Sequence, residues 1–384
     1  MNILLIGGDG FVGWACTLEL LSCGHNVVIV DNLVRRKIDT ELNTSSITPI
    51  ESIETRVNTA NELFPGKCSF VFMDVMKEYE LLVEVLKYNN IDTVVHFGEL
   101  KSAPYSMIDA KHARITIENN IGATTNVLNA IAFNNPNISL VHMGTMGVYG
   151  YKDDFGKIPE GYLDITVNQT GKNTQIVFPT DPGSIYHMTK SLDQVMFQFY
   201  NKNWGIRITD LHQGIIWGTQ THHTEKHPNL VNRFDYDGAF GSVLNRFIVE
   251  SAIGYPLTVH GTGGQERAFI HIKDSATCVR LAVENPPAPD CVRIFNQVAE
   301  VKSVIELAKL ISEKTGTDIA YLNNPRKERA SNKLFVENTG LQHLGFKPTL
   351  LDDELVNHVF DIVGNYKDRI NPKAIDSTWM KWNT

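Results

Sequence analysis

Asn2-Ile3-Leu4-Leu5-Ile6-Gly7-Gly8-Asp9-Gly10-Phe11-Val12-Gly13 is the stretch that decides the fold. Its first five residues are apolar without polar alternation, as in a strand buried on both faces of a parallel sheet. Glycines at 7, 10 and 13 then permit a tight turn, close approach of the backbone to a pyrophosphate, and close helix–strand packing. A helical pattern follows through Leu21 and ends near Gly24, so helix N–H groups and a partial positive charge face any phosphate there. Val27-Val28-Ile29-Val30 is a second strand ending at Asp31. A carboxylate in that place binds adenosine ribose hydroxyls and repels a 2′-phosphate, so NAD is expected rather than NADP. Asn32, Arg35 and Arg36 follow directly, and arginines there can also accept a phosphate. The carboxylate holds the diagnostic position, which decides for NAD.

Strands and helices keep alternating along the chain. Residues 32–66 form a long connection with Thr44-Ser45-Ser46 and an expected helix from Glu51 to Leu63. Cys68-Ser69-Phe70-Val71-Phe72-Met73 reads as a strand, with Asp74 and Val75 at its carboxyl end to meet the adenine. Thr93-Val94-Val95-His96-Phe97 is the next, and Gly98 lets the chain pass close to the cofactor. A helical segment from Asn119 to Asn134 and the strand Ile138–His142 complete another unit, with Asn119 a further cofactor contact. This rhythm predicts an α/β fold, a Rossmann-type doubly wound parallel sheet with a smaller C-terminal α/β substrate-binding lobe. The boundaries expected are 1–212 for the NAD-binding domain, with a return segment near 268–275, and 213–384 for the second lobe.

Composition narrows the function classes. The chain has 384 residues, 42% hydrophobic and 20% charged, ordinary values for a globular enzyme. A net charge of −8 leaves no basic footprint for nucleic acid. Cys16, Cys23, Cys68, Cys278 and Cys291 are scattered without metal or disulfide spacing and read as reduced thiols. His222, His223 and His227 read as a solvated loop, not a helix-borne zinc motif, so no metal is expected. No apolar run reaches membrane-spanning length. A cytoplasmic protein is expected, or one of the plastid stroma if a transit peptide has been removed.

The chemistry is carried by Gly183-Ser184-Ile185-Tyr186-His187-Met188-Thr189-Lys190. Tyr186 and Lys190, four apart, share a helix face, and an ammonium beside a phenol favours the phenolate. Such a phenolate takes a hydroxyl proton while hydride leaves the carbinol carbon. Read alone, Tyr-x-x-x-Lys is weak; Thr145, at a strand end, adds a hydroxyl that can bond the same substrate oxygen. With Thr145, Tyr186 and Lys190 together the whole chain resembles the extended short-chain dehydrogenase/reductases (NAD-dependent epimerases and dehydratases) of nucleotide sugars. That likeness implies Tyr186 as acid/base, Lys190 as the group that lowers its pKa and holds the nicotinamide ribose, and Thr145 as the sugar-orienting residue.

Longer stretches are similar to the UDP-sulfoquinovose synthase family: Asp31–Arg36, Ser102–Asp109, Gly144–Gly147, Asp235–Asp237, Leu244–Phe247 and Asn324–Arg326. The resemblance implies conversion of UDP-glucose and sulfite to UDP-sulfoquinovose with tightly held NAD. C4 is oxidised, water is lost across C5–C6, sulfite adds at C6, and C4 is reduced again. It also implies UDP contacts in the segment Leu257-Thr258-Val259 to Arg267, and at Arg326, with Gln213 and Asn245 near the sugar. Sulfite, or a protein that delivers sulfur, and a homodimeric partner are expected. His187 is shared with that family and is read equally well as a packing residue. Lys101 and Leu100 stand where the family has arginine and glutamine, and Val148 where it has glutamate. Met146 and Gly147 replace the Asp-Glu pair of ordinary 4,6-dehydratases, which disfavours that reaction. A UDP-hexose 4-epimerase and a non-catalytic sugar-nucleotide-binding protein remain open as alternatives. Residues 151–182, rich in charge and glycine, read as a lid loop, and Trp379 and Trp382 as docking residues of the tail.

Overall fold

A computed structural model describes residues 1–150, 156–351, 353–375 and 382. The sequence's first apolar runs become β1 (Asn2–Ile6) and β2 (Asn26–Asp31), followed by β3 (Cys68–Phe72), β4 (Thr93–His96) and β5 (Ser139–Thr145). With Ile208–Gln213 and Val292–Gln297 they form one seven-stranded sheet. Its spatial order is Val292–Gln297, Ile208–Gln213, β5, β4, β1, β2, β3, and every pairing is parallel. The strand order reverses between β1 and β4, which opens a crevice at their carboxyl ends.

Successive side chains of a strand point to opposite faces, and β1 divides accordingly. Ile3 and Leu5 pack with the helix Phe11–Ser22, while Leu4 and Ile6 pack with residues of the long helix Ala110–Asn134 and with Phe197. The second lobe has its own apolar core, where Phe247 and Ile248 of the helix Val243–Ala252 meet Val259, Leu307 and Val359. A smaller sheet joins Ile215–Trp217, Gly264–His271, Glu300–Ser303 and Ser331–Asn332.

Several sequence expectations change in extent. The connection over 32–66 holds two helices, Val34–Glu41 and Ile53–Leu63. It is docked rather than loose: Arg56 lies under the Trp14 ring at 4.0 Å and pairs with Asp9 at 2.7 Å. The return to the first sheet is longer than 268–275. The strand Gly264–His271 pairs with Ile215–Trp217 in the smaller sheet, and the main sheet regains the chain only at Val292–Gln297, after the helix Ile272–Glu284. Of the expected lid, Asp153, Asp154 and Phe155 lie outside the described residues; Leu163–Val167 and Lys172–Ile176 form an exposed antiparallel hairpin. Trp379 also lies outside the described residues.

Candidate active site

One cavity of about 470 Å³ runs from the glycine loop across the sheet crevice into the second lobe. At the first end Gly7 has φ +84°, and a Cβ there would lie 2.7 Å from the Phe97 carbonyl carbon. A Cβ on Gly13 would lie 2.1 Å from the Gly7 oxygen. The helix behind starts at Phe11 with no side chain capping its first N–H groups. Free N–H groups over a glycine loop, with the Asp9 carboxylate held by Arg36 and Arg56, are what a pyrophosphate needs, so these residues fit NAD. Phe11, Val12, Asn32, Asp74, Val75, Gly98 and Asn119 line the same cavity.

Asp31 accepts hydrogen bonds from the Asp9 and Leu33 backbone N–H groups at 3.0 and 2.7 Å. Burial and the neighbouring Asp9 push its carboxyl up to about 6. The two arginines depart from expectation. Arg36 does not line the cavity: its guanidinium is held by both Asp9 oxygens, at 2.7 and 2.8 Å. Arg35 lines it, but is committed to Asp39 and Asp235 and lies over the Phe240 ring at 3.7 Å. Asp9 and Asp235, distant in the linear sequence, claim the two guanidinium groups, with Asp39 one helical turn from Arg35.

Ser184 caps the helix Ile185–Trp204 by accepting from His187 N–H, and that helix brings Tyr186 and Lys190 to the cavity floor. Thr145 ends β5 beside them, where its hydroxyl favours the Tyr186 phenolate and accepts from the Gly147 N–H at 3.1 Å. Burial pushes Tyr186 up to about 12, against the lowering effect of Lys190. His187, pulled down to about 3 by burial, is neutral and holds Ser184 Oγ at 3.1 Å. Gly147 is required beside it, since a Cβ there would lie 2.3 Å from His187 Nε2.

Behind Lys190 lies a set of buried polar groups that the sequence reading missed. Lys190 Nζ is 2.9 Å from Glu99 Oε2 and 3.1 Å from His142 Nε2. His142 Nδ1 pairs with Asp210 at 2.8 Å, Asp210 with His212 at 2.9 Å, and His212 with the Tyr149 hydroxyl at 2.6 Å. The signal was present: polar residues sit inside strands that otherwise read as continuous apolar runs. Glu99, His142 and Asp193 could together ligate a metal, since their ligand atoms lie within 4.8 Å of one another. The Lys190 ammonium already supplies a cation to Glu99.

At the second-lobe end, Arg267 bonds Glu328 and Asn332, and Arg326 lies over the Trp382 ring at 4.7 Å. Both arginines and Trp382 line the cavity, as do Lys101, Gln213 and Asn245. Gln213 accepts from Ser275 at 3.2 Å, and Asn245 spends its amide on the Gly218 backbone. Lys101 is exposed along the cavity, and partial desolvation by the cavity walls pulls its ammonium down, to about 8. Thr258 and Val259 are corrections. Thr258 bonds Glu250 and Val259 is buried in the second core, because this strand is covered on both faces; neighbouring His260 reaches the cavity instead. Val148 likewise faces an apolar cluster with Met146, Tyr149 and Phe178, away from the cavity.

Residues 3–296 match the NAD dependent epimerase/dehydratase family. The chain is 43% identical to the chloroplastic UDP-sulfoquinovose synthase of Spinacia oleracea, over 99% of this chain and 79% of that one. It is 37% identical to the UDP-sulfoquinovose synthase of Sulfolobus acidocaldarius, over 96% and 94%. Among solved structures, UDP-glucuronic acid 4-epimerase from Bacillus cereus, in complex with UDP-glucuronic acid and NAD, superposes with a TM-score of 0.69 at 21% identity. That likeness covers 95% of this chain and 99% of the epimerase, and carries the fold. With near-complete coverage at these identities, the chain belongs to the NAD-dependent epimerase/dehydratase family and, within it, to the group of the UDP-sulfoquinovose synthases.

Proposed function

We propose that this protein converts UDP-glucose and sulfite to UDP-sulfoquinovose and water. The observation that carries the reading is the single cavity, with the dinucleotide loop at one end, Thr145, Tyr186 and Lys190 in the middle and two arginines at the other. NAD supplies the hydride acceptor, and later the donor, at sugar C4. Tyr186 takes the C4 hydroxyl proton and returns it at the end of the cycle, and Thr145 aims that hydroxyl. Lys190 favours the phenolate electrostatically, and Asp31 receives the adenosine ribose. Arg267 and Arg326 hold the diphosphate as planar donors and leave it uncleaved. The C4 ketone acidifies C5–H, so water leaves across C5–C6 and sulfite adds to the resulting alkene at C6. Lys101 is the cation offered to the sulfite oxygens. Because position 148 faces apolar side chains, valine there removes no group from the cavity wall.

The remaining parts of this reading are a nucleotide-binding lobe over 1–212 and a substrate lobe over 213–384, a cytoplasmic or plastid-stromal setting, and sulfite supplied free or by a donor protein. A homodimer is favoured by exposed Leu192, Val195 and Phe199 on one face of the helix Ile185–Trp204. No helix among the described residues is long and apolar enough to cross a membrane. Mass spectrometry of the UDP-glucose products, with and without sulfite, tests the reaction. A C6 sulfonate formed only with sulfite supports it, whereas UDP-galactose without solvent exchange at C5 identifies an epimerase.

A further inference from the structure

Glu99 follows β4 in the loop that carries Gly98, and only 2% of its side chain is exposed. One oxygen takes Lys190 Nζ at 2.9 Å; the other meets His142 Nε2 at 3.0 Å and accepts from Thr124 Oγ1 at 3.1 Å. The catalytic lysine is therefore tethered from behind by a carboxylate that does not belong to its own helix. We propose that Glu99 is a positioning residue, which fixes the Lys190 ammonium and offsets part of its charge, so deciding how strongly the lysine acts on the Tyr186 hydroxyl. This rests on the roles given above to Tyr186 and Lys190.

The surroundings support a fixed ion pair rather than a wandering proton. Despite burial, the Lys190 ammonium and the imidazole of His142 hold Glu99 well below the usual carboxylate range, and Glu99 in turn raises Lys190. Against burial and Lys190, Asp210 and Asp193 push His142 up to about 10. Burial pulls His96, 3.7 Å from Glu99, down to about 3, so it carries no charge at neutral pH. Asp193, on the lysine's own helix, is pushed up to about 6 by burial and Glu99, and stays ionised above that. If Glu99 is neutralised, Asp193 remains to keep Lys190 an ammonium, while Tyr186 loses a nearby negative charge. The phenol should then ionise more readily.

The test uses the NAD-loaded protein with tyrosines labelled with carbon-13 at Cζ, titrated from about pH 8 to about 12 to take in the raised Tyr186. The Tyr186 signal is the one absent from Tyr186→Phe. In Glu99→Gln, the onset of its ionisation should fall by about one pH unit, the weight of one partly buried charge a few ångströms away. Glu99→Asp keeps the charge and should track the unaltered protein. Coincident curves for Glu99→Gln, or an equal shift in Glu99→Asp, overturn the proposal. Loss of the ammonium leaves Glu99 a buried carboxylate with one cation fewer and drives it toward its neutral form, so less charge is left for the second substitution to remove. In a Lys190→Met background, Glu99→Gln should therefore move the onset less than half as far, and an equal shift there also overturns it. Because the titration is read without turnover, its failure is distinct from failure of the sulfonation assay.

Discussion

Tyr186, Asp31 and Lys101 each owe their behaviour to one or two neighbours. Tyr186→Phe removes only the oxygen that moves the proton. Formation of NADH on mixing the NAD-loaded protein with UDP-glucose should fall by about 10³-fold, while calorimetry finds the UDP-glucose affinity nearly unchanged. Asp31→Ala should raise the affinity for NADP relative to NAD about ten-fold, by removing a carboxylate that repels the 2′-phosphate. The gain stops there because Arg36 is held by Asp9, and adding Asp9→Asn should enlarge it; cofactor fluorescence titrations read both. Lys101, pulled down to about 8 by the cavity walls that partly desolvate it, loses its charge as pH rises through that value. The KM for sulfite should therefore climb above about pH 8 in the unaltered protein. Lys101→Arg should lower that KM and flatten its pH dependence, because a guanidinium stays charged and presents a planar fork.

At the scale of elements, the helix Ile185–Trp204 matters most, since its first turn carries Tyr186 and its second Lys190. Its start is defined by Ser184 Oγ, which accepts from His187 N–H at 3.2 Å. Ser184→Ala should cost about 1 kcal/mol of unfolding free energy, read from the urea midpoint. Activity should drop only a few-fold, because Ser106 Oγ separately accepts the Tyr186 N–H at 3.1 Å. The strands contribute a second device. His142 and Asp210 are register partners on neighbouring strands, as are His212 and Asn296, so a polar row crosses the sheet beneath the catalytic helix. A Cβ on Gly144 would lie 2.5 Å from Asp210 Oδ1, which explains glycine at that position of β5.

For the whole molecule, two apolar cores on the sheet and one in the second lobe leave the outer face of the helix Ile185–Trp204 partly uncovered. Leu192, Val195 and Phe199 are 43%, 58% and 56% exposed there, and Phe133 of the helix Ala110–Asn134 is 65% exposed. If two copies pair through these faces, Phe199→Glu should convert the dimer to a monomer in sedimentation velocity. A charge at the centre of an apolar interface loses its solvation without gaining a partner. Binding of UDP-glucose should survive in the monomer, because Leu192, Val195 and Phe199 do not line the cavity.

The alternation of strands and helices, the dinucleotide loop and the Thr145, Tyr186 and Lys190 set were legible in the sequence because each depends on local spacing. Period two and period 3.6 decide buried faces, glycine decides where the backbone can approach a phosphate, and four residues bring a tyrosine above a lysine. The family resemblance extended this to Arg267, Arg326 and Gln213, which do reach the cavity. Other features depended on which distant segments meet. Asp9 and Arg36 are 27 residues apart, Glu99 and Lys190 further still, and no periodicity joins them. Thr258 and Val259 failed as cavity residues because a strand's burial depends on what covers each face, which tertiary packing alone supplies. The Tyr186 phenol shows the division most plainly. Sequence placed a cation beside it, but only the folded interior reveals that burial and Glu99 outweigh that cation, because the cost of a buried charge depends on all the groups around it.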